Sequence, residues 1–369
     1  GASCGFDPTF SEAAMEAFEA RGFARDLCSY LKNQLGSIYL NRYLFGGEFP
    51  RPSFVLSGHG CDSHAKWVQL IAEHYQVPLF VLDIGIADLD EVKTRRKVDY
   101  LTDQFFDCIE WLEGVTGRRF DDERFREAFT HTCQVGQLWA EICCLNKAVP
   151  APLDQKSQYS FFALPLLAPH RKEMVELLRE LRDEVQERVE RGIAAVPNER
   201  CRLMHDGQPP WGFLKLFRFM ERYGAVCLGG IYGFSLGATW DWERMEPAKT
   251  PMELGVPLGT RKELVRAYAD WYVRSYVVQN MLFSPEWKIE TYLKLMREWK
   301  AEGLLVHLNR GCEGWAFGQL EMRLGLVKAG RRVVTYEGNM SDKRELDEAQ
   351  TLDRIEAFLQ SLGLKRLED

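Results

Sequence analysis

Three cysteines, Cys28, Cys61 and Cys312, stand where a thiolate could do chemistry. Phe54-Val55-Leu56-Ser57-Gly58-His59-Gly60-Cys61-Asp62 is echoed by Leu304-Leu305-Val306-His307-Leu308-Asn309-Arg310-Gly311-Cys312-Glu313. Each copy reads as a buried strand, then Gly-Cys-acid, then the start of a helix. In open α/β sheets ligands gather beyond the carboxyl ends of strands, where helix N-termini offer unpaired N–H groups and the positive end of a dipole. A cysteine placed there has its thiolate favoured. Two such thiolates facing each other across a cleft could hold a metal or a cluster that neither unit would hold alone, and Cys28, just ahead of the first unit, is the natural third. Iron–sulfur clusters are commonly held by four cysteines; with three, one iron is left open to another ligand.

The competing chemistry is zinc, with His59 and His64 flanking Cys61, but C-x2-C pairing and the usual Cys-to-His interval are both missing. The bland reading of any one cysteine is a small buried hydrophobe. It is assigned to Cys108, Cys133, Cys143, Cys144 and Cys227, which fall on apolar faces of expected helices or strands, while Cys4 and Cys201 carry no signal. The P-loop pattern is missing too, so direct ATP binding has no support. Gly229, Gly230, Gly233 and Gly237 do not fit the dinucleotide fingerprint and read as a loop.

The elements that would position these residues are those of an α/β protein. A helix is expected over 11–35, ending at Gly36 and carrying Cys28. A strand is expected at 54–58, then a helix capped by Asp62, then a second strand at 78–84, together a parallel crossover unit. Residues 96–147 and 169–192 read as helical, joined by a Pro-containing connection at 150–168 that could act as a hinge. The second half repeats the pattern, with strands near 200–205, 225–229, 303–308 and 332–337. Helices are expected near 212–223, 286–301, 314–329 and 349–361. This gives a first α/β domain over 1–150 with Cys28 and Cys61, a helical connection over 151–197, and a second α/β domain over 198–369 with Cys312.

The totals agree with such a protein: 369 residues, 46% of them hydrophobic, can bury a large core. A net charge of −7 argues against broad contact with nucleic acid or an anionic membrane. No run approaches the length of a membrane span and no leader is evident, so the chain is expected in the cytoplasm with its thiols free rather than in a disulfide framework.

The segments Asp26 to Lys32, Gly60-Cys61-Asp62 to Lys66-Trp67, and Gly311-Cys312 to Gly318-Gln319-Leu320 resemble the benzoyl-CoA reductase and 2-hydroxyacyl-CoA dehydratase family. Gly207 to Pro210 with Trp211, Tyr223-Gly224-Ala225, and the tail from Val333 to Phe358 with Asp342, Gln350 and Arg354 extend the likeness over nearly the whole chain. Within the family, the B-type subunit of ATP-dependent benzoyl-CoA reductase is the model it most resembles. The sequence departs from the pattern in having only 27 residues ahead of Cys28, where the family carries a further α/β segment, and in Asn339, where an acid is common.

The resemblance implies Rossmann- or flavodoxin-like parallel-sheet domains around an interdomain cleft, with a 4Fe-4S cluster on Cys28, Cys61 and Cys312. It also implies a related cluster-binding subunit as partner in a heterodimer or homodimer, and an ATP-hydrolysing iron–sulfur activator that delivers low-potential electrons. The implied reaction is single-electron reduction of an aryl-CoA thioester. The alternatives are radical loss of water from a 2-hydroxyacyl-CoA, a homodimer with a double-cubane cluster, and a cluster-free or zinc-stabilised partner subunit. His59, His64, Tyr232 and Ser235 are the polar candidates for the environment of the thioester.

Overall fold

The computed structural model describes residues 11–43, 45–84, 91–275 and 284–367. Helices α1 (Glu12–Glu19) and α2 (Ser29–Tyr39) open the chain. The sequence led us to expect one helix stopping at Gly36. Instead the chain breaks ahead of Cys28, and Gly36 lies inside α2. A Cβ at Gly36 would sit 1.7 Å from the Ala14 carbonyl oxygen, so the glycine is there to let α1 and α2 cross in backbone contact.

Strand β1 (Val55–Gly58), helix α3 (Asp62–Tyr75) and strand β2 (Leu79–Leu82) form the expected parallel unit, with Val55 opposite Leu79. The long helical stretch that follows is two helices, α4 (Glu91–Thr116) and α5 (Asp122–Leu145). Gly117 in a left-handed conformation ends the first, and the Asp121 carboxylate caps the second through the Glu123 and Arg124 amides. The expected hinge is itself mostly helix, α6 (Gln155–Leu167), capped by Asp154. Its sequence has little amphipathic pattern because the buried face mixes Gln155 and Gln158 with Tyr159 and Phe162 while Leu167 is exposed, and α7 (Lys172–Glu190) follows.

The main sheet contains β3 (Cys201–Asp206), β4 (Ala225–Cys227), β7 (Gly303–Asn309) and β8 (Arg332–Gly338), all parallel, in the order β4-β3-β7-β8. Between β4 and β7 lie the short helix α9 (Ile231–Ser235), where a loop was expected, a two-residue hairpin β5–β6 (Trp240–Asp241, Glu246–Pro247), and α10 (Arg261–Ser275), which sequence reading missed. Helix α8 (Lys215–Glu221) joins β3 to β4, and α11 (Pro285–Glu298) leads into β7. The expected helix after Cys312 is split by Gly318 into α12 (Glu313–Ala316) and α13 (Gln319–Lys328), and α14 (Glu348–Ser361) closes the chain. From β3 the chain first adds β4 on one side and later β7 on the other. The order therefore reverses between β3 and β7, which is where open α/β sheets form crevices.

One apolar core takes in Val135 to Cys143 of α5, Tyr159 and Phe162 of α6, and both faces of the main sheet through Leu359. Helices assigned from sequence to a first domain and a connection thus pack on the second sheet. Phe18, Leu31, Leu35 and Trp67 form a smaller core beneath α1–α3. Among the described residues no helix is long and apolar enough to cross a membrane.

Candidate functional site

Each of the three cysteines sits at the start of a helix. Cys28 is the N-cap of α2 and Cys61 the N-cap of α3, the place expected for Asp62, which is instead the first helical residue. Cys312 immediately precedes α12, in the loop leaving β7 at the point where strand order reverses. The loops meet directly: at Gly311, whose φ is +77°, a Cβ would come within 3.1 Å of the Leu27 carbonyl oxygen, so the turn before Cys312 rests on the turn before Cys28.

The three thiols act on one another. Burial pushes Cys28 up to about 12; the Leu31 and Tyr30 amides oppose this, and the nearby Cys312 and Cys61 add to it. Burial likewise raises Cys61 against the His64 and Ser63 amides, and raises Cys312 against the Trp315 amide and the Gln208 side chain. The sulfurs are therefore close enough to repel as thiolates, and each is backed by N–H groups that would stabilise it once a cation drew off its proton. No three His, Cys, Asp or Glu side chains among the described residues converge as tightly as a single metal ion requires. That includes Cys61 with His59 and His64.

Cys312 has a side-chain partner as well. Gln208, in the loop leaving β3, donates from Nε2 to the Cys312 sulfur at 2.7 Å. Its Oε1 accepts from Asn309 Nδ2 at 2.8 Å, and Asn309 Oδ1 accepts from the Met340 amide at 3.0 Å. The carbonyl of Gln208 lies 2.7 Å from His307 Nδ1. Lys288, almost wholly buried, donates to the carbonyls of Phe317 (2.6 Å) and Trp315 (3.2 Å) and so fixes the end of α12 beneath Cys312.

Of the polar candidates, Tyr232 feels two of the thiols, Cys312 and Cys28. It is buried on α9 between Trp315 (ring centroids 5.1 Å apart) and Phe162 (5.8 Å), and its hydroxyl is 3.5 Å from that of Tyr30, which accepts from Trp211 Nε1 at 2.6 Å. Burial first, then Cys312 and Cys28, keep the Tyr232 hydroxyl protonated. His59 is exposed, 3.7 Å from Asp62. His64 stacks on Trp67 at 5.4 Å with its outer side exposed, and desolvation on the packed side, followed by His59, lowers its pKa. Both flank Cys61. Ser235 is buried with an unpartnered hydroxyl and lines a separate pocket with Thr132, Pro165 and Trp271. Lys288 escaped the sequence reading, and Tyr30, Gln208, Trp211 and Trp315, though within the segments that carry the family resemblance, were given no role at the site. The available signal was position: Gln208 follows a strand at the switch point, as Cys312 does.

The first lobe is fastened to the second by buried charge. Lys32, one turn beyond Cys28, donates to Asp342 Oδ2 (2.9 Å) and Glu19 Oε1 (3.2 Å), and Arg344 bonds both acids, at 2.7 Å to Asp342 and 2.6 Å to Glu19. Cys28 is thereby held against the loop that follows β8.

The family model described as "2-hydroxyglutaryl-CoA dehydratase, D-component" matches residues 3–362. The chain is 26% identical to the (R)-phenyllactyl-CoA dehydratase alpha subunit of Clostridium sporogenes, over 95% of this chain and 80% of that protein. It is 26% identical to the B-type subunit of benzoyl-CoA reductase from Thauera aromatica, over 94% and 79%. To the alpha chain of (R)-2-hydroxyglutaryl-CoA dehydratase from Acidaminococcus fermentans it is again 26% identical, over 85% of this chain and 61% of that one. With nearly its whole length matched, the chain belongs to the 2-hydroxyglutaryl-CoA dehydratase D-component family.

Proposed function

We propose that Cys28, Cys61 and Cys312 hold a 4Fe-4S cluster, and that this chain is the cluster-bearing subunit of an enzyme acting on acyl-CoA thioesters. The observation that carries the proposal is the meeting of three thiols from three distant segments, each at a helix N-terminus. The donor set fits such a group. Soft sulfur donors suit iron–sulfur clusters, and the loops that carry Cys28 and Cys312 are in direct contact. When bound, the cluster would supply an electron at low potential.

The chain's own residues do the rest. The amides of Tyr30, Leu31, Ser63, His64 and Trp315 favour negative charge on the sulfurs. Tyr30, Phe162, Trp211, Tyr232 and Trp315 wall the site with aromatic rings and exclude water from it. The Tyr232 hydroxyl, kept neutral, is a hydrogen-bond donor for a thioester carbonyl on which charge develops. His59 and His64, on the open side of Cys61, are groups for proton exchange with solvent.

Loss of water from a 2-hydroxyacyl-CoA is our first reading of the reaction, supported by the family description and two of the relatives named above. Reduction of an aryl-CoA thioester is the second, supported by the reductase relative and by the resemblance in the sequence. The names of those relatives as subunits support a related partner chain; an ATP-hydrolysing iron–sulfur activator as electron donor belongs to the same proposal. The protein is purified anaerobically with its partner, and reductant consumed is measured against acyl-CoA turned over. Dehydration needs reductant in catalytic amounts, whereas ring reduction consumes it in step with product. Protein that binds zinc and no iron would refute both readings.

A further inference from the structure

We infer that Gln208 is a positioning residue that raises the reduction potential at the Cys312 corner of the site, by donating a hydrogen bond to the sulfur from a side chain that cannot turn round. The inference rests on the reading of Cys312 as a cluster ligand.

The polarity of this contact is fixed from a distance. A backbone N–H can only donate, so the Met340 amide requires the oxygen of the Asn309 side chain to face it. The Asn309 nitrogen must then face Gln208, and it donates to Oε1 at 2.8 Å. That leaves the Gln208 nitrogen toward sulfur, at 2.7 Å. Flipping either amide would break two of the three contacts, so the orientation is set by the backbone. The loop is held too: Gly207 has φ +96°, and a Cβ there would lie 2.7 Å from the His307 carbonyl oxygen, so β3 and β7 are in contact where Gln208 projects. Cys28 and Cys61 meet backbone amides; Cys312 meets the Trp315 amide and, in addition, a side-chain donor that sequence can adjust.

Reduction adds negative charge, and part of it resides on the ligand sulfurs. A donor aimed at one of them stabilises the reduced state more than the oxidised one and raises the potential. The experiment is a spectroscopic redox titration of anaerobically prepared wild type, Gln208→Met and Asn309→Ala. Methionine matches glutamine in length and has no N–H. The expected result is a lower potential in Gln208→Met, with the reduced-to-oxidised ratio down about tenfold at a fixed applied potential, equivalent to about 59 mV for one electron. Asn309→Ala leaves Gln208 present but free to turn and should shift in the same direction by less. Mere loosening that admitted water would move the potential upward, because water stabilises the more negative state, so the sign separates the two causes.

An unchanged or raised potential in Gln208→Met with iron content intact overturns the inference. Wild type that binds no iron, or Cys312→Ser that keeps a full complement, overturns the ligand reading on which it rests.

Discussion

Replacing Asp342 by Asn changes the shape of the side chain hardly at all and removes one charge from a group of four. In the wild type the side chains of Lys32 and Asp342 are both fully buried, 2.9 Å apart, while Glu19 and Arg344 are each about one-fifth exposed. Burial opposes ionisation of Asp342, but hydrogen bonds and charge from Arg344 and Lys32 outweigh it and hold the carboxyl well below the ordinary carboxylate range. Removing one member of a buried pair strands the other, at a cost of about 3–5 kcal/mol. Here Lys32 keeps Glu19 and the Arg25 carbonyl as partners, so the lower end, about 3 kcal/mol, is the expected loss. The assay is urea unfolding of wild type and Asp342→Asn across pH. A carboxyl whose folded pKa is depressed contributes stability above its unfolded pKa, about 3.9, and loses it as pH falls below that. The gap between the two proteins should therefore be flat from pH 8 to about pH 5 and narrow only below about pH 4. A difference under about 1 kcal/mol at neutral pH, the level of an exposed pair, would refute the claim that this clamp joins the lobes.

Other outcomes follow from packing and burial. Gly36→Ala places a methyl group onto the Ala14 carbonyl and should destabilise by about 1–3 kcal/mol in thermal or urea unfolding, whereas Gly22→Ala, at an open site, should be limited to the strain of its positive φ. Gly230→Ala meets the His205 carbonyl oxygen at 1.7 Å and should displace α9 and Tyr232, read as a changed near-ultraviolet dichroism with the far-ultraviolet signal retained. His205 and His307 are fully buried and held neutral: burial, then the charge of His307, brings His205 to about 3, and burial, against the Gln208 carbonyl, brings His307 to about 4. Both are depressed, so stability should be full above about pH 6.5 and fall toward pH 4 as the unfolded chain alone takes up protons, by up to about 1.4 kcal/mol per pH unit for each histidine. Unfolding free energies that do not change between pH 7 and pH 5 would contradict their burial in the neutral form.

The strands, and the placing of Cys61 and Cys312 between a strand and a helix, were legible because their signals are local. Runs such as Leu304 to Val306 are continuous and apolar, as strands buried on both faces must be, and Gly-Cys-acid shortly after such a run marks a strand end. What failed did so for physical reasons. Helix α6 carries Pro165, and its buried face mixes Gln155 and Gln158 with Tyr159 and Phe162, so its period is hidden and it resembled a connection. Gly36 reads as a stop wherever the next helix is unseen, yet here it admits a crossing partner from another segment. The break before Cys28 has one local mark, Gly22, which stands just past α1 with φ +90°, and the sequence reading passed over it in favour of Gly36. Gln208, Tyr30 and Trp211 belong to the site through contacts with residues a hundred or more positions away, and single-residue identity carries no such information.

The central claim is that Cys28, Cys61 and Cys312 hold one iron–sulfur group. It is tested most directly by iron and acid-labile sulfide analysis of anaerobically purified wild type beside Cys61→Ser, Cys312→Ser and Cys143→Ser. Iron and sulfide in wild type and in Cys143→Ser, whose sulfur is buried in the apolar core, and their loss from the other two variants, is the expected result. Equal iron in all four proteins, or zinc in place of iron, would contradict it.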